Sequence, residues 1–136
     1  MRFRLYATFI GLGISLTAVP SLAHHSFAAE YDANKPITLK GTVTKMLWSN
    51  PHGWIYLDVK APDGRVINWS LETGGVNALF RRGWRKEDLP VGSALTVEGF
   101  LAKDGTPTAN ATNITLPNGK RLFAGSASTP GAAPEN

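Results

Sequence analysis

The chain has 136 residues, no cysteine and a formal charge of +4, of which Arg2 and Arg4 contribute two at the extreme amino terminus. This length holds one core and leaves no room for a second domain of ordinary size. Without Arg2 and Arg4 the surface is only mildly basic, which removes the first argument for nucleic-acid binding, and the lack of cysteine excludes disulfides and thiolate metal sites.

Residues 1–23 read as a cleavable export signal. Arg2 and Arg4 supply the positive start, residues 5–19 an apolar stretch, and Ser21-Leu22-Ala23 the small residues that a signal peptidase reads. A retained anchor fits less well, because the stretch is about 15 residues and is broken by Thr8, Gly11, Gly13, Ser15 and Thr17, whereas a span needs ~20. Cleavage after Ala23 makes His24 the first residue of a periplasmic or secreted protein with no stable membrane span. A cut after Ala28 or Ala29 is the alternative, and it removes both His24 and His25.

Residues 24–36 are expected to form an irregular arm that Pro36 closes off. Residues 37–48 follow as a long strand, in which Gly41 marks a bend or bulge. Asn50-Pro51-His52-Gly53 is a turn. Residues 54–59 alternate, with Ile55, Leu57 and Val59 on one face and Trp54, Tyr56 and Asp58 on the other, the pattern of a half-buried strand. Asp63-Gly64 predicts a hairpin into a third strand, 65–72, with Ile67, Trp69 and Leu71 inward. Thr73 then caps a single short helix reaching Arg82, which buries Val76, Leu79 and Phe80 and stops at Gly83. Strands at 94–101 and 109–116 follow, with Leu95 and Val97 inside the former. A short pairing segment is predicted at 120–123. Residues 124–136, rich in Gly, Ala, Ser and Pro, predict a disordered tail.

The fold class is therefore all-β: a five-stranded OB-like Greek-key barrel over 37–123, with one short helix between strands 3 and 4. That scaffold serves many ligands, so function must come from residues.

The chain's three histidines are His24, His25 and His52. If His24 is the amino terminus, its α-amino group and imidazole chelate one Cu(II), and a third nitrogen completes a histidine brace. His52, in the turn between the first two strands, is the expected third ligand, with His25 as substitute and Glu30, Asp32 or water as a fourth group. Amine and imidazole donors suit tetragonal Cu(II) better than zinc, which wants a tetrahedral partner. The competing reading makes His24-His25 a solvated terminus and His52 a turn residue bonded to its own backbone. No catalytic constellation is present, so the chain is read as a binding protein and not an enzyme.

Trp54 and Tyr56 point away from the inward set and could form a stacking platform for a sugar or a base, or lie covered by Phe27 and Tyr31. Arg81, Arg82, Arg85 and Lys86 are the only dense basic run. They could bind an anion or an acidic partner, or merely complement a helix C-terminus, with Glu72, Glu87 and Asp88 near enough to pair with them. The alternative function is accordingly a metal-free module that recognises a periplasmic protein, a small ligand or a carbohydrate.

Three separated motifs, Ala23-His24-His25-Ser26-Phe27, Trp48-Ser49-Asn50-Pro51-His52 and Arg81-Arg82-Gly83-Trp84, together resemble a family of small exported bacterial proteins catalogued as a domain of unknown function. The resemblance covers nearly all of the mature chain. It implies a secreted or periplasmic single domain with no assigned activity, and it names no catalytic or binding residue.

Overall fold

The computed structural model describes residues 27–132. The predicted signal at 1–23, both His24 and His25, and the last four residues of the predicted tail lie outside the described residues.

The elements run α1 (Phe27–Glu30), β1 (Tyr31–Leu47), β2 (His52–Lys60), β3 (Val66–Gly74), α2 (Val76–Arg81), a 3-10 turn (Lys86–Asp88), β4 (Ala94–Ala102), β5 (Thr108–Thr115) and β6 (Arg121–Phe123). The chain is predominantly β. The six strands of the described residues lie in the order β3-β2-β1-β4-β5-β6, neighbours in that order being antiparallel. β3 also pairs with β5 in parallel through Ser70↔Thr108, Leu71↔Ala109 and Glu72↔Asn110. Each of β1 to β5 thus has a strand on both sides.

The Asp63-Gly64 turn sets the β2–β3 register. Ala61 donates its N–H to Arg65 O, Val59 faces Ile67, and the ladder continues to His52↔Gly74. Ile55, Leu57 and Leu71 are fully buried, as the alternation predicts. Val59, Ile67 and Trp69, nearer the hairpin turn, are only partly buried. Leu79, Trp84, Val43, Val97 and Ile114 are also fully buried.

Several boundaries depart from expectation. The arm at 24–36 is not irregular where it is described: α1 seats the Phe27 ring against Tyr31 and Phe100, and β1 starts at Tyr31, which pairs with Ala102. The register then breaks between Tyr31 and Pro36, leaving 32–35 at the surface, where a run of polar residues has the composition of a loop. α1 is also a second helix where one was expected. Gly41 is not the bulge, which lies between Val43 and Lys45. Gly41 instead lets β1 pass β2 closely, since a Cβ there would sit 2.3 Å from Asp58 O.

Thr73 does not cap α2. It is buried inside β3, and the helix begins after Gly75 with no side-chain cap. Phe80, expected inside, is 37% exposed, though its ring lies 5.7 Å from that of Trp48. Gly83 does stop the helix, at φ +91°.

The tail prediction fails from 124 to 132. Ala124 is buried and donates its N–H to Thr112 O, and Gly74 N–H donates to Ala124 O. Thr129 is buried, with its hydroxyl donating to Asn110 Oδ1 at 2.9 Å. Composition alone hid this, because small residues also permit close packing. A Cβ on Gly74 would meet Gly125 O at 2.7 Å.

Candidate functional site

His52 opens β2 immediately after the cis Asn50-Pro51 peptide, and the Ser49 hydroxyl donates to His52 O at 2.6 Å. The β2–β3 register places Trp54 opposite Glu72 and His52 opposite Gly74, so the outward rows of both strands converge at this end of the sheet. Gly53 between them is tightly enclosed, with Thr73 Oγ1 at 2.7 Å from where a Cβ would stand.

Glu72 is the central group. Its side chain is only 10% exposed, and a carboxylate so enclosed needs partners. Oε1 lies 3.0 Å from His52 Nδ1, and Oε2 accepts the Tyr31 hydroxyl. Burial pushes the Tyr31 phenol well above its ordinary range. The bond to Glu72 and the negative charges of Glu72, Glu30 and Asp104 push it the same way.

The remaining surface of His52 lines two clefts. One, about 280 Å³, is bounded by Glu30, Pro51, His52, Trp54 and Glu72. Through Glu30 and Trp54 it adjoins a second cleft of about 280 Å³ that reaches Tyr31, Lys103 and Asp104. On its other side His52 faces a cleft of about 260 Å³ carpeted by Gly74, Gly75, Ala78, Ser126 and Ser128. Glu30 is held at the site because its carbonyl accepts the Lys103 N–H at 2.9 Å, while Lys103 Nζ donates to Ala28 O at 2.5 Å.

Of the residues singled out from sequence, His52 and Trp54 therefore meet in one cleft and His24 and His25 lie outside the described residues. Glu30 joins them. Asp32 does not: it accepts the Asn34 N–H and lies 3.8 Å from Lys35 on the exposed excursion of β1. Trp54 is half-buried and lines a cleft together with Glu30 and Tyr31, whereas Phe27 packs on Tyr31 and Phe100. Tyr56 follows on the same face, under Lys45 Nζ at 5.4 Å from its ring, and lines neither cleft.

The basic run is built into the fold. Arg82 donates to Gly125 O at 2.6 Å and stacks 5.0 Å over the Phe123 ring, and Arg85 donates to Trp84 O and to Phe80 O at the helix end. Arg81 is exposed. Asp88 does accept the Arg85 backbone N–H, but Glu72 is turned to His52 and Tyr31 rather than to the arginines.

Glu72 and Tyr31 are the site residues that sequence reasoning missed. A signal was present: counting back from the Asp63-Gly64 turn, two residues at a time, sets Trp54 opposite Glu72. No such signal existed for Tyr31, 41 residues from Glu72.

Among the described residues no three histidine, aspartate or glutamate side chains are grouped to hold a metal, and His52 is the only histidine among them. No described helix is long and apolar enough to cross a membrane.

No curated protein and no solved structure matches the chain. Residues 13–111 match the Family of unknown function (DUF6152), in agreement with the resemblance carried by the three motifs, and the chain belongs to that family.

Proposed function

We propose that this is an exported binding protein, cleaved after Ala23, that holds one Cu(II) through the amine and imidazole of His24 together with His52, as a copper carrier or sensor of the periplasm or the extracellular space. The observation that carries this reading is the His52–Glu72 pair at the mouth of a cleft that also holds Glu30. A histidine that ligates a metal through one ring nitrogen commonly turns the other to a carboxylate, and Glu72 lies 3.0 Å from Nδ1.

Phe27 begins α1, Glu30 ends it at the cleft, and Tyr31 bonds to Glu72. The brace requires the three residues before Phe27, which extended span about 10 Å, to bring His24 to the ring of His52. Glu30 is the favoured fourth group and His25 the substitute nitrogen. An OB-like barrel as the scaffold is supported by the circuit of pairings β1-β2-β3-β5-β4-β1, with α2 between β3 and β4. The role is binding, with no catalytic residue assigned.

The test begins with the mass of the exported protein, expected to start at His24. The mature chain is expected to bind one Cu(II) with nitrogen hyperfine structure in its paramagnetic resonance spectrum, and one extra residue ahead of His24 is expected to weaken binding sharply. Equal binding with the extra residue in place overturns the brace.

A second reading, a metal-free module for a carbohydrate or partner protein, is favoured by one observation: Trp54 is half-buried and walls two adjoining clefts. In that case Trp54→Ala abolishes ligand capture while His52→Ala leaves it unchanged, the reverse of the copper reading.

A further inference from the structure

We infer that Glu72 is the positioning residue for His52 and that Tyr31 in turn fixes Glu72, so that the imidazole carries its proton on Nδ1 and presents the lone pair of Nε2 to a divalent metal ion. The copper-affinity part of this rests on the function proposed above. The tautomer part stands on geometry alone.

His52 Nδ1 is shut off from solvent, and the Glu72 carboxylate oxygen 3.0 Å away, close to it but not in line for a well-formed hydrogen bond, is an acceptor and never a donor. An unprotonated Nδ1 would set lone pair against lone pair inside the protein, where water cannot screen them. The negative charge beside it therefore favours the proton on Nδ1, whether the ring is neutral or charged. In the neutral ring this leaves Nε2 as the donor atom.

Glu72 cannot easily turn away. Its other oxygen accepts the Tyr31 hydroxyl, and its backbone lies in a strand paired to Trp54 on one side and to Asn110 on the other. Tyr31 is itself buried in β1 against the Phe27 ring. A neutral imidazole in water favours the opposite tautomer, with hydrogen on Nε2, so a metal binding there would first have to move a proton. The Tyr31-Glu72 couple makes that adjustment in advance, and the carboxylate behind the ring strengthens Nε2 as a donor. The rest of the ring lines the clefts on either side of Pro51, where an ion would enter.

Nitrogen-15 correlation spectra of the metal-free mature chain, at about pH 8.5 where imidazoles are ordinarily neutral, read the tautomer directly. The expected result is a protonated Nδ1 in the native chain. Glu72→Ala is expected to shift the ring toward the Nε2–H form and to weaken Cu(II) binding about 10- to 100-fold, and the nearly isosteric Glu72→Gln and Tyr31→Phe to move both in the same direction by less. Thermal unfolding of each variant separates lost affinity from lost fold, and the two isosteric variants serve if Glu72→Ala does not fold. An Nε2–H tautomer in the native chain overturns the inference, as does native copper affinity in the folded Glu72 variants. A native chain that shows the Nδ1–H tautomer yet takes up no copper overturns the copper reading and leaves the positioning of His52 standing.

Discussion

Tyr31 illustrates how much a single contact decides here. Because its phenol is held protonated above the ordinary value of 10.0, the folded chain binds a proton there that the unfolded chain releases. Its contribution to stability is complete below about pH 10 and is lost as pH rises toward the folded-state value. Urea unfolding at about pH 8 and about pH 11 is therefore expected to show a marked loss of stability in the native chain and a smaller one in Tyr31→Phe. A different balance governs Asp63 and Asp104. Both carboxyls are held low, chiefly by the backbone N–H groups of Arg65 and Thr106, so their contribution is present at neutral pH and lost in acid, and both sit in exposed turns where water screens it. Core positions respond to volume instead. Leu57 is fully buried, and Leu57→Ala is expected to cost about 2–5 kcal/mol in chemical denaturation.

Elements in this chain are placed by close approaches as much as by strand propensity. Gly41→Ala would drive a Cβ to 2.3 Å from Asp58 O, and backbone is hard to move, so a loss of about 1–3 kcal/mol is expected in the same assay. The segment after β6 acts as a structural strap. Trp84 Nε1 donates to Phe123 O, Arg82 grips Gly125, and Thr129 satisfies the buried Asn110. Thr129→Val removes that donor and leaves the Asn110 carbonyl unsatisfied, a change expected to cost about 1–3 kcal/mol. Unchanged stability in Thr129→Val would mean that water replaces the hydroxyl.

At the scale of the whole molecule, one set of buried residues drawn from every strand from β1 to β5 and from α2 forms the core, and the strap closes on it. Such an arrangement is expected to unfold in one step. Tryptophan fluorescence, to which the fully buried Trp84 contributes, should report the same midpoint as far-ultraviolet dichroism. Two separated midpoints would mark the strap or α1 as an independent unit. Family membership sets the chain among relatives of unknown function and leaves ligand identity to the site.

Local chemistry made much of this legible in advance. The alternation of 54–59, the Asp63-Gly64 hairpin, the helix between strands 3 and 4 and its stop at Gly83 all arise from interactions within a few residues. His52 and Trp54 were visible as candidates for the same reason, being chemically distinctive and placed in or beside a turn. What depends on distant segments was not legible. The sequence offers no periodic sign that Tyr31 will reach Glu72, that Trp84 will leave a basic run for the core, or that a Gly-Ala-Ser stretch will lie down as a strap. Those contacts follow from β1 crossing from β4 to β2 and from β3 pairing with β5, and only the closed set of strand pairings brings such distant residues together.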